Sequence, residues 1–269
     1  RALKKSGKVI YLTATPSQEL YLRWKKKQLP CIQIPARYHG YPLPVPKIIV
    51  DKKMNRPRKE VLLSEETMEI IHESIEGDLS QLLVFVPTVI LAIQVAEELR
   101  SAVRLPPFNN FDASWVQYSY SRDEDRETKR EAFLRGDFPI LVTTTLWERG
   151  ITVEKVNVLV LFAHLENIFD ERCLIQMAGR SGRNAAYPVG KVWFVGGRVT
   201  EGMKWARSRI RELNHEAKRR GYLLPVSTLW LDGWEGRINA ERTDKGNKWA
   251  GSSTPFKLPF MPRQKGREK

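Results

Sequence analysis

Short apolar runs recur through the middle of the chain, at residues 82–86, 140–143, 156–162 and 191–195, with almost no polar position inside them. Such runs are too short to span a membrane and too uniformly apolar for a sheet with one wet face, so each reads as a strand buried on both sides. Stretches with helical apolar spacing lie between most of them. That order demands a parallel sheet with helices on both faces, an α/β fold.

The helices can be placed with the same logic. Residues 65–75 are helical, and Pro87 stands where a first helical turn tolerates it, opening a helix that runs to about Val103. A further strand is expected at 115–118. Ser121 and Glu124 have capping-box spacing ahead of a helix that ends at Gly136. A last helix, 201–220, carries Met203, Ala206, Ile210, Leu213 and Ala217 on one stripe and is stopped by Gly221. Nearer the start, 8–13 reads as a strand running into Pro16 and Ser17, with Ser17 able to cap a basic helix at 18–27. Pro42, Pro44 and Pro46 mark a stiff, extended stretch of the kind that joins domains. We therefore expect three parts: 1–50 as the end of one domain plus a linker, 51–231 as the main domain, and 232–269 as a basic, weakly ordered or surface-wrapped tail.

Charge narrows the partner. The net charge of +14 and a pI near 9.8 suit a polyanion such as nucleic acid. Cys31 and Cys173 are too far apart in sequence for a C-x-x-C pair, so neither a disulfide framework nor a zinc site is indicated, and a reducing cytoplasmic setting fits. No run reaches the roughly 18 apolar residues of a membrane span. The four histidines are scattered and receive no role, and no metal site is expected. The chain starts at Arg1 rather than Met, which reads as a piece of something longer.

Residues 176–183 spell Gln-Met-Ala-Gly-Arg-Ser-Gly-Arg at the end of a helix. Two arginines, each directly after a glycine, offer planar charge matched to phosphate oxygens on a backbone that admits close approach. The alternative is a helix C-terminus where Arg offsets the dipole and Gly is the cap. Thr13, Ala14 and Thr15 follow the first strand, and Thr143, Thr144 and Thr145 follow a central one, in positions where α/β sheets collect ligands. Threonine also simply favours strands. Thr88, after the 82–86 strand, is either a backbone contact or a helix cap.

Together these segments resemble the helicase motifs of superfamily 2. Thr13-Ala-Thr15 is similar to motif III, 84–88 to motif IV, 140–153 to motif V, and 176–183 matches the Gln-x-x-Gly-Arg-x-Gly-Arg form of motif VI in full. The wording of 10–17, 141–151 and motif VI resembles the ComFA-type competence helicases most, with PriA-type replication-restart helicases as rival. The resemblance implies a RecA-like helicase C-terminal domain in 51–231, preceded by the end of a first RecA-like domain, with ATP and Mg²⁺ held mainly by that other domain. It assigns Arg180 and Arg183 as arginine fingers, Gln176 to the phosphate side, Gly150, Thr152 and Gly179 to the nucleotide, Thr88, Thr144 and Thr145 to DNA, and Thr13 and Thr15 to coupling between domains. Where DEAD-box relatives carry an Asp after the Gly-Ile step, Thr152 stands here, which favours the DNA-translocase branches. The implied protein moves single-stranded DNA during uptake, in the cytoplasm or at the inner face of the membrane beside the uptake machinery. RNA as substrate, and a non-enzymatic DNA-binding or adaptor module on a RecA-like fold, are the competing readings.

The sequence contains no Gly-x-x-x-x-Gly-Lys-Ser/Thr phosphate loop. The adjacent acids Asp170 and Glu171 fall where a helix N-terminus suits them better than a Mg²⁺ site. This chain alone is not expected to turn over ATP. The basic groups at 23–27, 207–211 and 218–220 could line a DNA path or be solvated faces, and the tryptophans at 230, 234 and 249 could stack bases or pack the tail.

Overall fold

The computed structural model describes residues 10–55, 63–102, 112–145 and 152–224. Two compact units are present, Arg1–Ile34 and Pro35–Lys269. The first holds helix α1, Gln18–Lys25, whose N-terminus is capped as expected by the Ser17 hydroxyl accepting from the Leu20 N–H. Residues 10–13, expected as a strand, pair with no strand among the described residues. Ile10 and Leu12 are 80% and 92% exposed. An apolar run becomes a strand only where a neighbour satisfies its backbone donors and acceptors, and none is described beside this one.

The second unit is built on six strands: β1 Lys47–Val50, β2 Gln81–Phe85, β3 Val116–Ser119, β4 Ile140–Thr143, β5 Val156–Val160 and β6 Val192–Gly196. They form one sheet in the order β1-β6-β5-β2-β4-β3, and every pair is parallel. The four inner strands are buried along their whole length, as their unbroken apolar runs require. Among the described residues five helices follow or precede them: α2 Glu65–His72, α3 Val89–Ala102, α4 Arg126–Arg135, α5 Glu171–Ala178 and α6 Glu201–Arg219.

Alternate residues of each strand serve opposite cores. On one face Leu82, Val84, Val142 and Leu159 pack with Ile70 and Ile71 of α2 and Val95, Ala96 and Leu99 of α3. On the other, Leu83, Phe85, Leu141, Val158 and Val160 pack with Phe133 of α4, Met177 of α5 and Met203, Ala206 and Ile210 of α6. Each such side chain contributes about 1.5–3 kcal/mol of burial. The expected sheet with helices on both faces is therefore present.

Three local readings change. Ser121 does not cap α4, which begins at Arg126 after Asp125. The Asp123 carboxylate instead takes the Lys129 ammonium at 2.8 Å. Helix α2 does not run evenly to 75 but widens into a π-turn, Glu73–Gly77. The proline segment is not a free linker and the boundary does not fall near 50. The Leu43 N–H donates to Asn214 Oδ1 and the Asn214 amide donates to the Leu43 carbonyl, both at 2.8 Å. Beyond it β1 pairs with β6 as an edge strand, so the compact unit starts at Pro35. Proline removes backbone donors but leaves carbonyls, and a side-chain amide supplies what docking needs. The tail, 232–269, lies outside the described residues.

Candidate functional site

The arginine segment begins inside α5. Gln176 is half-buried in the last turn, and Gly179 closes the helix with its N–H donating to the Ile175 carbonyl. Arg180 and Ser181 continue the turn, their N–H groups reaching Met177 and Ala178. Gly182 then takes a left-handed conformation, φ +61°, and a Cβ there would stand 2.3 Å from the Pro188 carbonyl oxygen. Only glycine fits that step. Gly179, by contrast, has φ −64°, an ordinary helical conformation. Ser181 and Gly182 are buried, Arg180 is half-buried with its Nε shielded from solvent, and Arg183 is exposed. The backbone of the loop thus belongs to the interior, and Arg183 stands at the surface.

A third arginine holds this loop. Arg37 Nη1 donates to the Ser181 carbonyl at 2.8 Å and to that of Gly182, and Nη2 donates to the Gly179 carbonyl at 3.2 Å. Burial, then the charges of Arg183 and Arg180, lower the Arg37 pKa to about 10, so the guanidinium remains charged at neutral pH. Motif reading missed it because its partners are backbone carbonyls more than 140 residues away. One signal was available: Arg37 is the only Lys, Arg, Asp or Glu in 28–46, and a lone charge in a proline-rich apolar stretch needs dedicated partners.

The loop rests against the amino-terminal end of the sheet. A Cβ on Gly190 would meet Ser181 Oγ at 2.1 Å and the Val156 carbonyl at 3.0 Å, which places the turn beside the first residue of β5. Next door lies a buried polar network. Lys191 Nζ donates to Asp78 Oδ1 at 2.8 Å and Glu73 Oε1 at 2.9 Å, and the Asn157 amide donates to Asp78 Oδ2 at 2.9 Å. Asn157 Oδ1 also accepts from the Lys191 N–H, and Lys155 Nζ donates to the Asp78 carbonyl. Burial alone would lower the Lys191 pKa, but the bonds to Asp78 and Glu73 outweigh it and the net shift is upward. The network pins the start of β5 and β6, and with them residue 190, under the arginine turn.

The threonines lie at the other end. β2 and β4 are paired with Phe85 opposite Thr143, so Thr88, Thr144 and Thr145 all follow the carboxyl ends of adjacent strands. Thr88 is exposed and its hydroxyl accepts from the Leu91 N–H at 3.2 Å, which makes it a cap of α3. Thr144 is buried and Thr145 half-buried. Strand rise of about 3.3 Å per residue separates the two ends by roughly 13 Å over a five-residue strand. The arginine segment, expected at the end of a helix, is carried by α5 back to the amino-terminal end of the sheet, opposite these threonines. Since β4 and β5 run in the same direction, the segment between them leads from one end to the other. Thr152 is exposed four residues before β5, on the arginine side in sequence. Gly150 lies outside the described residues. Thr13 and Thr15 belong to the separate 1–34 unit, where Thr13 Oγ1 accepts from the Thr15 N–H at 3.1 Å.

Comparison with known proteins places this architecture. Residues 63–185 match the helicase conserved C-terminal domain. The chain is 33% identical over 223 residues to the competence protein ComFA of Bacillus subtilis, covering 81% of this chain and 45% of that protein. It is 32% identical over 216 residues to ComFA of Streptococcus pneumoniae, covering 80% and 48%. This chain carries a superfamily 2 helicase C-terminal domain and is ComFA-like. It spans about half the length of the ComFA relatives it matches. Among solved structures it is similar to Mycobacterium smegmatis helicase Lhr bound to ssDNA and AMP-PNP, with a TM-score of 0.48 and 18% identity over 65% of this chain and 22% of that one. Similarity to Saccharomyces cerevisiae Dbp5 bound to RNA and ADP BeF3 has a TM-score of 0.46 and 16% identity, over 86% and 53%.

Within this helicase domain the arginine turn gathers three guanidinium groups, an arrangement that can meet an anion. Arg183 is exposed, Arg180 is two peptide steps from the left-handed glycine, and both act on Arg37 through their charge. Among the described residues no cluster of acids, histidines or cysteines could hold a metal ion.

Proposed function

We propose that this domain is the second half of an ATP-driven motor that moves single-stranded DNA during competence DNA uptake. Arg183 and Arg180 would meet the γ-phosphate of ATP bound on a first RecA-like domain, with Gln176 beside them and Gly150, Thr152 and Gly179 nearest the nucleotide. Thr88, Thr144 and Thr145 would hold the sugar-phosphate backbone, which hydroxyls and N–H groups grip without reading bases. The observation that carries this reading is the exposed Arg183 on a turn whose backbone is interior, fixed by Gly182 and by buried neighbours. A guanidinium presented that way can stabilise charge on a transferring phosphoryl group without reorganising, an effect worth about 10³ to 10⁵ in rate in GTPases. ATP with Mg²⁺ would supply the phosphoryl chemistry from the partner domain. No described helix is long and apolar enough to cross a membrane.

Coupling would link the two ends of the sheet, with Thr144 and Thr145 after β4 at one and Thr152 before β5 at the other. The test uses the full-length protein, assayed for ATP turnover with and without single-stranded DNA. Arg183→Ala should lower kcat by about 10³ while leaving DNA binding largely intact. Turnover that ignores DNA, or that survives the loss of Arg183, would sink the proposal. Homopolymer DNA against RNA in the same assay identifies the track.

A further inference from the structure

We infer that Arg37 is a positioning residue for the arginine finger: its guanidinium fastens the backbone of 179–182 in the turn from which Arg183 projects. The inference rests on the proposed role of Arg183 and goes beyond it by assigning a residue outside every helicase motif in the chain.

Three features lead there. The first is the bonding pattern. Carbonyls of Gly179, Ser181 and Gly182 all accept from one planar group, so the guanidinium spans the last residue before the finger pair and the last before Arg183. The rigid fork of arginine bonds several acceptors in one plane, which the ammonium of lysine cannot do. Secondly, the site draws a cation. The three acceptor carbonyls follow directly on α5, at the negative end of its dipole. Thirdly, the placement is electrostatically costly, because burial and the charges of Arg183 and Arg180 all oppose the charged form of Arg37. A neutral donor would bond these carbonyls without that repulsion.

Arg37 does not serve as a phosphate ligand in its own right. Both Nη1 protons and one Nη2 proton are committed to carbonyls, and reaching outward would release the turn. Its position in sequence adds meaning. Arg37 is the third residue of the unit that starts at Pro35, ahead of the 63–185 helicase match, so the turn is held by a residue from the very start of that unit.

The experiment compares Arg37→Ala, Arg37→Lys and Arg183→Ala in the full-length protein, with single-stranded DNA present. Displacement of a catalytic group by about 1 Å can cost 10²-fold, so Arg37→Ala should lower kcat by roughly 10- to 100-fold. KM for ATP and affinity for DNA should change little, and Arg37→Lys should restore part of the loss. Thermal melts at the assay temperature separate this from a smaller folded fraction, which would scale all activities together. Parental kcat in Arg37→Ala overturns the inference. If the alanine variant does not fold, Arg37→Lys decides: parental kcat there also overturns it. Should Arg183→Ala itself keep turnover, the finger reading fails. Loss in Arg183→Ala with none in Arg37→Ala sinks only the positioning role.

Discussion

The two ends of the sheet are built differently. At the carboxyl end, Thr88, Thr143 and Thr144 make bonds within their own neighbourhood: Thr88 caps the helix that follows it, and the Thr143 hydroxyl reaches the adjacent Thr144 carbonyl. At the amino-terminal end, Arg37, Asp78, Asn157 and Lys191 tie together segments tens to more than a hundred residues apart. Local caps tie each threonine only to its own segment and leave the rest of that end unbraced. Long-range charged bonds fix a geometry, which is what a group acting on a single phosphoryl transfer needs. The difference teaches that one small domain can hold a rigid end and an adaptable end on the same strands.

The sharpest way to break this contrast is Asp78→Ala. Asp78 is buried and accepts from Lys191 and Asn157. Removing it leaves Lys191 with only Glu73, itself partly exposed. Breaking a buried pair costs 3–5 kcal/mol, and the surviving Glu73 partner points to the low end, about 3 kcal/mol. Urea unfolding of the domain measures it. A loss below about 1 kcal/mol, the range of surface pairs, would mean the amino-terminal end is no more rigid than the other.

Gly182→Ala comes next. It places a side chain in the left-handed region, worth about 1–2 kcal/mol, and sets its Cβ against the Pro188 carbonyl. Stability should fall by roughly 2 kcal/mol, while ATP turnover of the full-length protein falls further than the folded fraction does. Equal losses in both would show that the turn supports folding and does not aim Arg183.

The same division explains what could be read from the chain. β2, β4, β5 and β6 were legible because each is a short run with apolar residues on both faces. β1 was not, since an edge strand with outward positions mixes Lys47 and Val50 exposed with Ile48 and Ile49 half-buried, and prolines precede it. The Gln-x-x-Gly-Arg-x-Gly-Arg string was legible as two arginines at the close of a helix because that pattern is local. Arg37 and Asp78 act across the fold, and no spacing rule connects them to their partners. Helix α6 shows the same limit. Arg209, read as part of a basic face, is buried and bonded to Glu212, and Arg219 and Arg220 are both engaged by Glu216. A period of 3.6 locates the apolar stripe, but it does not say how far long charged side chains fold back along it.

The smallest effect concerns Thr88, where cap and contact coincide. Thr88→Ala removes the acceptor for the Leu91 N–H and should cost about 1 kcal/mol. Thr88→Asp keeps an acceptor at the N-terminus of α3, where a carboxylate is also favoured by the dipole, so stability should hold. A negative charge there would nevertheless repel a phosphate backbone lying across the carboxyl ends of β2 and β4. Single-stranded DNA should bind Thr88→Asp more weakly than the parent, with the difference shrinking as salt is raised. Parental affinity in that variant would reduce Thr88 to a cap, and the adaptable end of the sheet would have to be argued from Thr144 and Thr145 alone.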